Sequence, residues 1–131
     1  MESKTMHWTL LAAALLPTSG FAGDFDGSKN LICATVEVMD CSPGAECLKG
    51  TPDDIGAPAF MRIDFKQKTV SGPKRASPIE AMANEDGQLL LRGIEFGHGW
   101  TMALDHASGR MAATLTDRRG AFVMFGSCTP L

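Results

Sequence analysis

The chain has 131 residues, with 12 Lys+Arg against 15 Asp+Glu, a formal net charge of −3, 44% hydrophobic and 21% charged residues. This length supports one domain, and the composition belongs to a folded chain. An acidic balance offers nucleic acid no counterion-releasing surface, and no apolar run reaches the roughly 18–20 residues of a membrane-crossing helix. A multidomain enzyme, a helical membrane protein and a typical nucleic-acid binder are therefore excluded.

Residues 1–22 read as an export signal. Lys4 lies in a short polar start, Trp8 to Leu16 is apolar, and Pro17 breaks the run. Small residues at Gly20 and Ala22 set a cut that leaves Gly23 as the first mature residue. No Cys stands at that cut, so the mature chain is expected in the periplasm or outside the cell without a lipid anchor. The four cysteines suit that compartment. Cys41 and Cys47 flank the turn-rich Ser42–Glu46 and are expected to pair locally. Cys33 and Cys128 then pair by elimination, joining the first strand to the last. The spacing is not that of a zinc site.

Residues 23–30 are polar, contain glycine, and read as a flexible leader. Their Asp24-Phe25-Asp26-Gly27 start lacks the later ligands of a calcium loop. A single β domain spans residues 31–131. Its first strand, Leu31 to Met39, alternates, with Ile32, Ala34, Val36 and Val38 on one face. Residues 40–58 are irregular, but Thr51 as N-cap and Pro52 at the first helical position can open a short helix. Beyond Ala59 the pattern is strand and turn. Met61, Ile63 and Phe65 share a face, Lys66-Gln67 turns, and Lys68 to Ser71 is a short strand. Gly72-Pro73 breaks that strand, and Pro78 to Asn84 forms the next one. Asp86-Gly87 is a strong hairpin turn. Leu89 and Leu91, then Trp100, Met102 and Leu104, then Met111, Ala113 and Leu115 alternate between turns at residues 95–99, 105–109 and 116–120. Ala121 to Phe125 is wholly apolar and reads as covered on both faces.

Short strands at regular spacing with Gly/Asp turns predict an all-β antiparallel meander. Tied by Cys33 and Cys128, it is expected to close into a small β-barrel, with a two-sheet sandwich as the alternative. A barrel this small is expected to fill its interior with its own side chains.

The chemistry-bearing residues are few. Asp105, His106 and Ser108 share one hairpin turn, too local for a nucleophile, base and orienting acid in line. The P-loop, dinucleotide and zinc-protease motifs are missing. Six methionines of the mature chain, with His98 and His106, suit copper by ligand type. Their alternating strand positions assign them to the core instead, so no metal or other cofactor is expected. Two segments separate charge: Arg62, Lys66, Lys68, Lys74 and Arg75 face Asp64 alone, and Asp40, Glu46, Asp53 and Asp54 face Lys49 alone. Separated charge steers partners. The candidate partner surface is therefore Arg62, Lys66, Lys68, Lys74 and Arg75, joined by Glu95, Phe96 and His98 of the glycine-flexed loop before Trp100.

The Trp100–Asp105 strand, the Ser108-Gly109-Arg110-Met111 turn and the Gly120–Cys128 end with its Gly-Ser-Cys terminus resemble small exported bacterial β-domain proteins of unknown function. That resemblance covers the mature chain and implies no activity. A weaker likeness is to periplasmic inhibitors of C-type lysozyme, which are small disulfide-tied β-barrels. Their Ser-Ala-Ser-Gly-like inhibitory loop has no counterpart here, and Arg75-Ala76-Ser77-Pro78 is only superficially similar to it. The sequence reading is a non-catalytic, monomeric exported domain that binds a protein or cell-envelope component through its loops. The alternative is a small-ligand or metal-binding periplasmic barrel.

Overall fold

The computed structural model describes residues 23–131, so the segment expected to be an export signal lies outside the described residues. The strands are β1 (Leu31–Cys41), β2 (Leu48–Gly50), β3 (Phe60–Asp64), β4 (Thr69–Ser71), β5 (Ala76–Pro78), β6 (Ala81–Glu85), β7 (Gln88–Glu95), β8 (His98–Asp105), β9 (Arg110–Asp117) and β10 (Gly120–Pro130). One helical turn, α1 (Pro52–Ile55), follows β2. It starts at Thr51 as expected. The Asp54 carboxylate accepts hydrogen bonds from the Thr51 backbone N–H at 2.6 Å and its hydroxyl at 2.9 Å.

All ten strands form one antiparallel sheet in the order β5-β4-β3-β1-β10-β9-β8-β7-β6, with β2 beside the far half of β1. The sheet curls into a half-barrel. Its two end strands belong to one stretch of chain. Pro78 still pairs with β4, Ile79 donates its N–H to the Lys68 carbonyl, and Glu80 donates to the Arg92 carbonyl beside β7. Residues 76–85 thus change partners between Ile79 and Glu80, and that switch forces the curl. The expected single strand from Pro78 to Asn84 divides here.

The hairpins follow local chemistry. Asp86 and Gly87 both have positive φ, as a two-residue type I′ turn requires. Both disulfides form as expected. Cys33 lies directly opposite Cys128, and Cys41 joins Cys47 at the β1–β2 hairpin.

Side chains facing the interior stack in layers across β7, β8, β9 and β10. Leu89, Leu104 and Met111 form the deepest layer, with Gly126 beside them. Leu91, Met102, Ala113 and Met124 form the next, and Val38 of β1 completes it. Gly93, Trp100, Leu115 and Phe122 lie above these. Layering of this kind is how small barrels build a core.

Two expectations about faces are overturned. Val36 is 72% exposed, whereas Leu31, Cys33 and Thr35 are buried. A bulge at Val36 separates the Thr35–Gly126 pair from the Glu37–Phe125 pair, so the inward face changes from odd to even residues. The bulge draws the strands together until a Cβ on Gly126 would overlap the Ala34 carbonyl. The final strand is not covered on both faces, because Phe125 is 43% exposed while Met124 is buried.

Residues 23–30 lie across one end of the sheet. Phe25 packs against the core and reaches Gly109, and Gly27 meets Met82 and Phe65. Asn84 donates its side-chain N–H to the Asp26 carbonyl at 2.9 Å, and the Asn30 side chain accepts the Phe65 N–H at 3.0 Å.

Candidate functional site

The opposite end is open. The small inward residue Ala113 leaves space among the longer side chains of its layer, and a cleft of about 780 Å³ enters the half-barrel there. The expectation of a filled interior is corrected by this cleft. Met61, Met102 and Met124 line the depth, with Trp100, Leu115 and Phe122 above them. Thioether chains are conformationally soft, so this floor can adapt to an occupant.

Trp100 is fixed by a hydrogen bond and by packing against glycine. Its indole N–H donates to the Ser77 hydroxyl at 2.8 Å, and that hydroxyl donates to the Ile94 carbonyl at 3.4 Å. The ring lies against Gly93, where a Cβ would come within 2.6 Å of the indole and 2.5 Å of the Pro78 carbonyl. Glycine at 93 is what lets the indole lie flat on the wall and lets β5 approach β7.

Charged groups ring the mouth. Glu95 pairs across the β7–β8 ladder with His98, and His98 Nε2 lies 3.5 Å from the Asp117 carboxylate. The other ring nitrogen, Nδ1, lies 3.2 Å from the Phe96 carbonyl, so both imidazole nitrogens face oxygen acceptors. Arg119 grips Asp117 through its backbone N–H at 2.8 Å, Nε at 3.0 Å and Nη2 at 2.7 Å. The Arg119 side chain is the largest cause of the Asp117 pKa being lowered to about 2, followed by the Arg119 backbone N–H. Arg75 approaches Glu95 through Nε at 3.8 Å, and its guanidinium lies 4.4 Å from the centre of the Phe96 ring.

Phe96 is the most unusual residue of this rim. It occupies the first central position of the Glu95–His98 turn with φ +46°, where Asn, Asp or Gly is normal, and it is 74% exposed. A bulky side chain in the left-handed region is strained, and burial does not offset that strain here.

The structure thus brings Lys74, Arg75, Glu95, Phe96 and His98 together around one mouth. It does not bring Arg62, Lys66 and Lys68 with them. Arg62 points outward from β3 opposite Ile32, and Lys66 and Lys68 lie in the β3–β4 turn toward the end covered by Phe25. Asp53 reaches the cleft from α1, while Asp54 caps that helix. Sequence reading missed Asp117 because residues 116–120 read as a turn. Extending the Met111, Ala113, Leu115 alternation by one step would have placed Asp117 on the inward face.

The Asp105, His106 and Ser108 trio has no catalytic arrangement. Asp105 accepts the Ser108 N–H at 2.8 Å and its hydroxyl at 2.6 Å, closing the turn, while His106 Nε2 meets the Asn84 side-chain oxygen at 2.7 Å. Among the described residues, no three His, Cys, Asp or Glu converge as a metal-holding group, and no helix is long and apolar enough to cross a membrane. No protein-family model, curated protein or solved structure matches the chain.

Proposed function

We propose that this chain is an exported, non-catalytic binding domain that takes the apolar part of a cell-envelope component into the mouth of its half-barrel. The observation that carries this reading is the cleft itself. An apolar floor left open beneath a charged rim, in the size range of small-ligand sites, is the usual form of a binding site. The export signal of residues 1–22 and two disulfides support action outside the cytoplasm. Residues 76–85 complete the barrel in this reading, with β5 and β7 as the seam.

Native mass spectrometry of protein recovered from the periplasm or medium tests the proposal. The expected result is a chain beginning at Gly23 with a non-covalent adduct, and the adduct is lost in Ala113→Met, which fills the cleft. Recovery of the unliganded mass alone would count against the cleft as the site.

A second reading has its own observation. The strained, exposed Phe96 suits an anchor that inserts into a pocket on a protein partner, as exposed aromatics do at interfaces. A protein captured by the wild type and by Ala113→Met, but not by Phe96→Asn, would establish that reading instead.

A further inference from the structure

We infer that the occupant of the cleft is an amphiphile with an anionic head, whose apolar body lies over the methionine floor while Lys74 and Arg75 hold the head. This rests on the cleft being the binding site and adds the chemistry of what it holds.

The argument begins with which charges at the mouth are already satisfied. Asp117 accepts three hydrogen bonds from Arg119 and faces His98. Glu95 has Arg75 beside it. The acids of β7 and β9 are therefore matched, and a cationic head would have to compete with arginine for them. The cations of the β4–β5 loop are not matched in the same way. Lys74 is exposed and makes no ion pair among the described residues. Arg75 meets Glu95 only through Nε, at 3.8 Å, so its terminal nitrogens carry no ion pair there. Guanidinium presents a planar fork of donors suited to a carboxylate or phosphate. Stacking on Phe96 restrains that fork. Asp53 on α1 is the remaining acid of the lining, and it makes no ion pair among the described residues.

Depth sets the body. From His98 at the rim to Met102 on the floor is four residues of β8, about 13 Å of strand. An extended ten-carbon chain matches that depth. The head can be a carboxylate or a phosphate, and the test separates the two.

The test uses the full chain with Trp8→Phe, so that Trp100 on the cleft wall is the single indole. Decanoate, decyl phosphate and decyltrimethylammonium are titrated below their micelle concentrations while Trp100 fluorescence is read. At least one anion should bind about tenfold more tightly than the cation, and added salt should weaken that preference. Which anion binds better identifies the head. In Lys74→Gln/Arg75→Gln the preference should fall within about twofold, whereas charge-keeping Lys74→Arg and the control Asp53→Asn should retain it. Equal binding of all three probes, or preference for the cation, would overturn the anionic head and leave the cleft as the site. If none binds, both the inference and the small-amphiphile use of the cleft fail.

Discussion

The two ends of this half-barrel are built from the same hairpins and finished in opposite ways. At the covered end, Phe25 packs over the core and the long-range Cys33–Cys128 bond ties the first strand to the last. At the open end, the disulfide is the local Cys41–Cys47, the small inward residue Ala113 lines the cleft, and a phenylalanine is strained and exposed. One end gathers the contacts that hold a small domain together. The other carries features that fold stability does not explain, as functional sites commonly do. This division can be broken or sharpened by substitution at either end.

The largest effect should come from the covered end. Cys33 and Cys128 are 95 residues apart, and in the chain-entropy account a loop of that length is worth about 4–5 kcal/mol. That approaches the whole stability of a domain this size. Cys33→Ser/Cys128→Ser should be largely unfolded at ambient temperature by circular dichroism and urea titration. The open-end bond spans six residues and should be worth only about 2 kcal/mol by the same account. Cys41→Ser/Cys47→Ser should therefore stay folded with a lower midpoint. Equal loss from the two pairs would remove the asymmetry between the ends.

Phe25→Ala should cost about 2–3 kcal/mol, below the range for a wholly buried phenylalanine because Phe25 is only partly buried. The same experiment checks whether residues 23–30 belong to the folded unit. Native-state hydrogen exchange should show faster exchange at Gly109 and Asn84, which contact this segment. An unchanged midpoint and unchanged exchange would make the segment an ornament on a half-barrel that is complete without it.

Phe96→Asn should move stability the other way. Asn tolerates the left-handed region that position 96 keeps, which is worth about 1–2 kcal/mol, and loss of the exposed Arg75 contact returns about 0.5–1 kcal/mol. The net is a gain of roughly 0–1.5 kcal/mol in urea titration. A clear loss of stability would mean that Phe96 holds the fold together and that its strain is no sign of use.

The same division marks where sequence was informative. Local rules placed the hairpins from Gln88 onward, the Asp86-Gly87 turn, the Thr51 start of α1 and both disulfides, because each depends on residues close in the chain or on simple pairing. The Val36 bulge escaped notice because it is a feature of pairing with β10, where Gly126 accommodates the close approach ninety residues away in sequence. The partner switch at Ile79 and Glu80 was equally hidden, since a strand's period does not say which neighbours it has. At the mouth, the aromatic and histidine of residues 95–98 were visible as a candidate loop. Their union with Lys74 and Arg75 was not, because the curl of the sheet creates it. Arg62, Lys66 and Lys68 read as one cationic cluster with Lys74 and Arg75, but the short strand β4 carries the chain between them and leaves only Lys74 and Arg75 at the mouth.

The smallest effect belongs to the rim carboxylate. Asp117 has its pKa lowered from the usual carboxylate range to about 2, mainly by the Arg119 side chain and then by its backbone N–H. A depressed folded value means the unfolded chain binds the proton more readily. The stabilisation from this group is therefore fully present above about pH 4 and fades as the pH falls from about 4 toward 2. Asp117→Asn should melt slightly below the wild type at pH 5, and the gap should narrow steadily as the pH approaches 2. Because the Arg119 side chain is 77% exposed, screening keeps the gap small, and added salt should reduce it further. A gap that persists unchanged at pH 2 would assign the effect to the shape of the side chain. No gap at pH 5 would mean that Arg119 contributes nothing measurable to the folded rim, and that Asp117 is as open to a cationic head as Lys74 is to an anionic one.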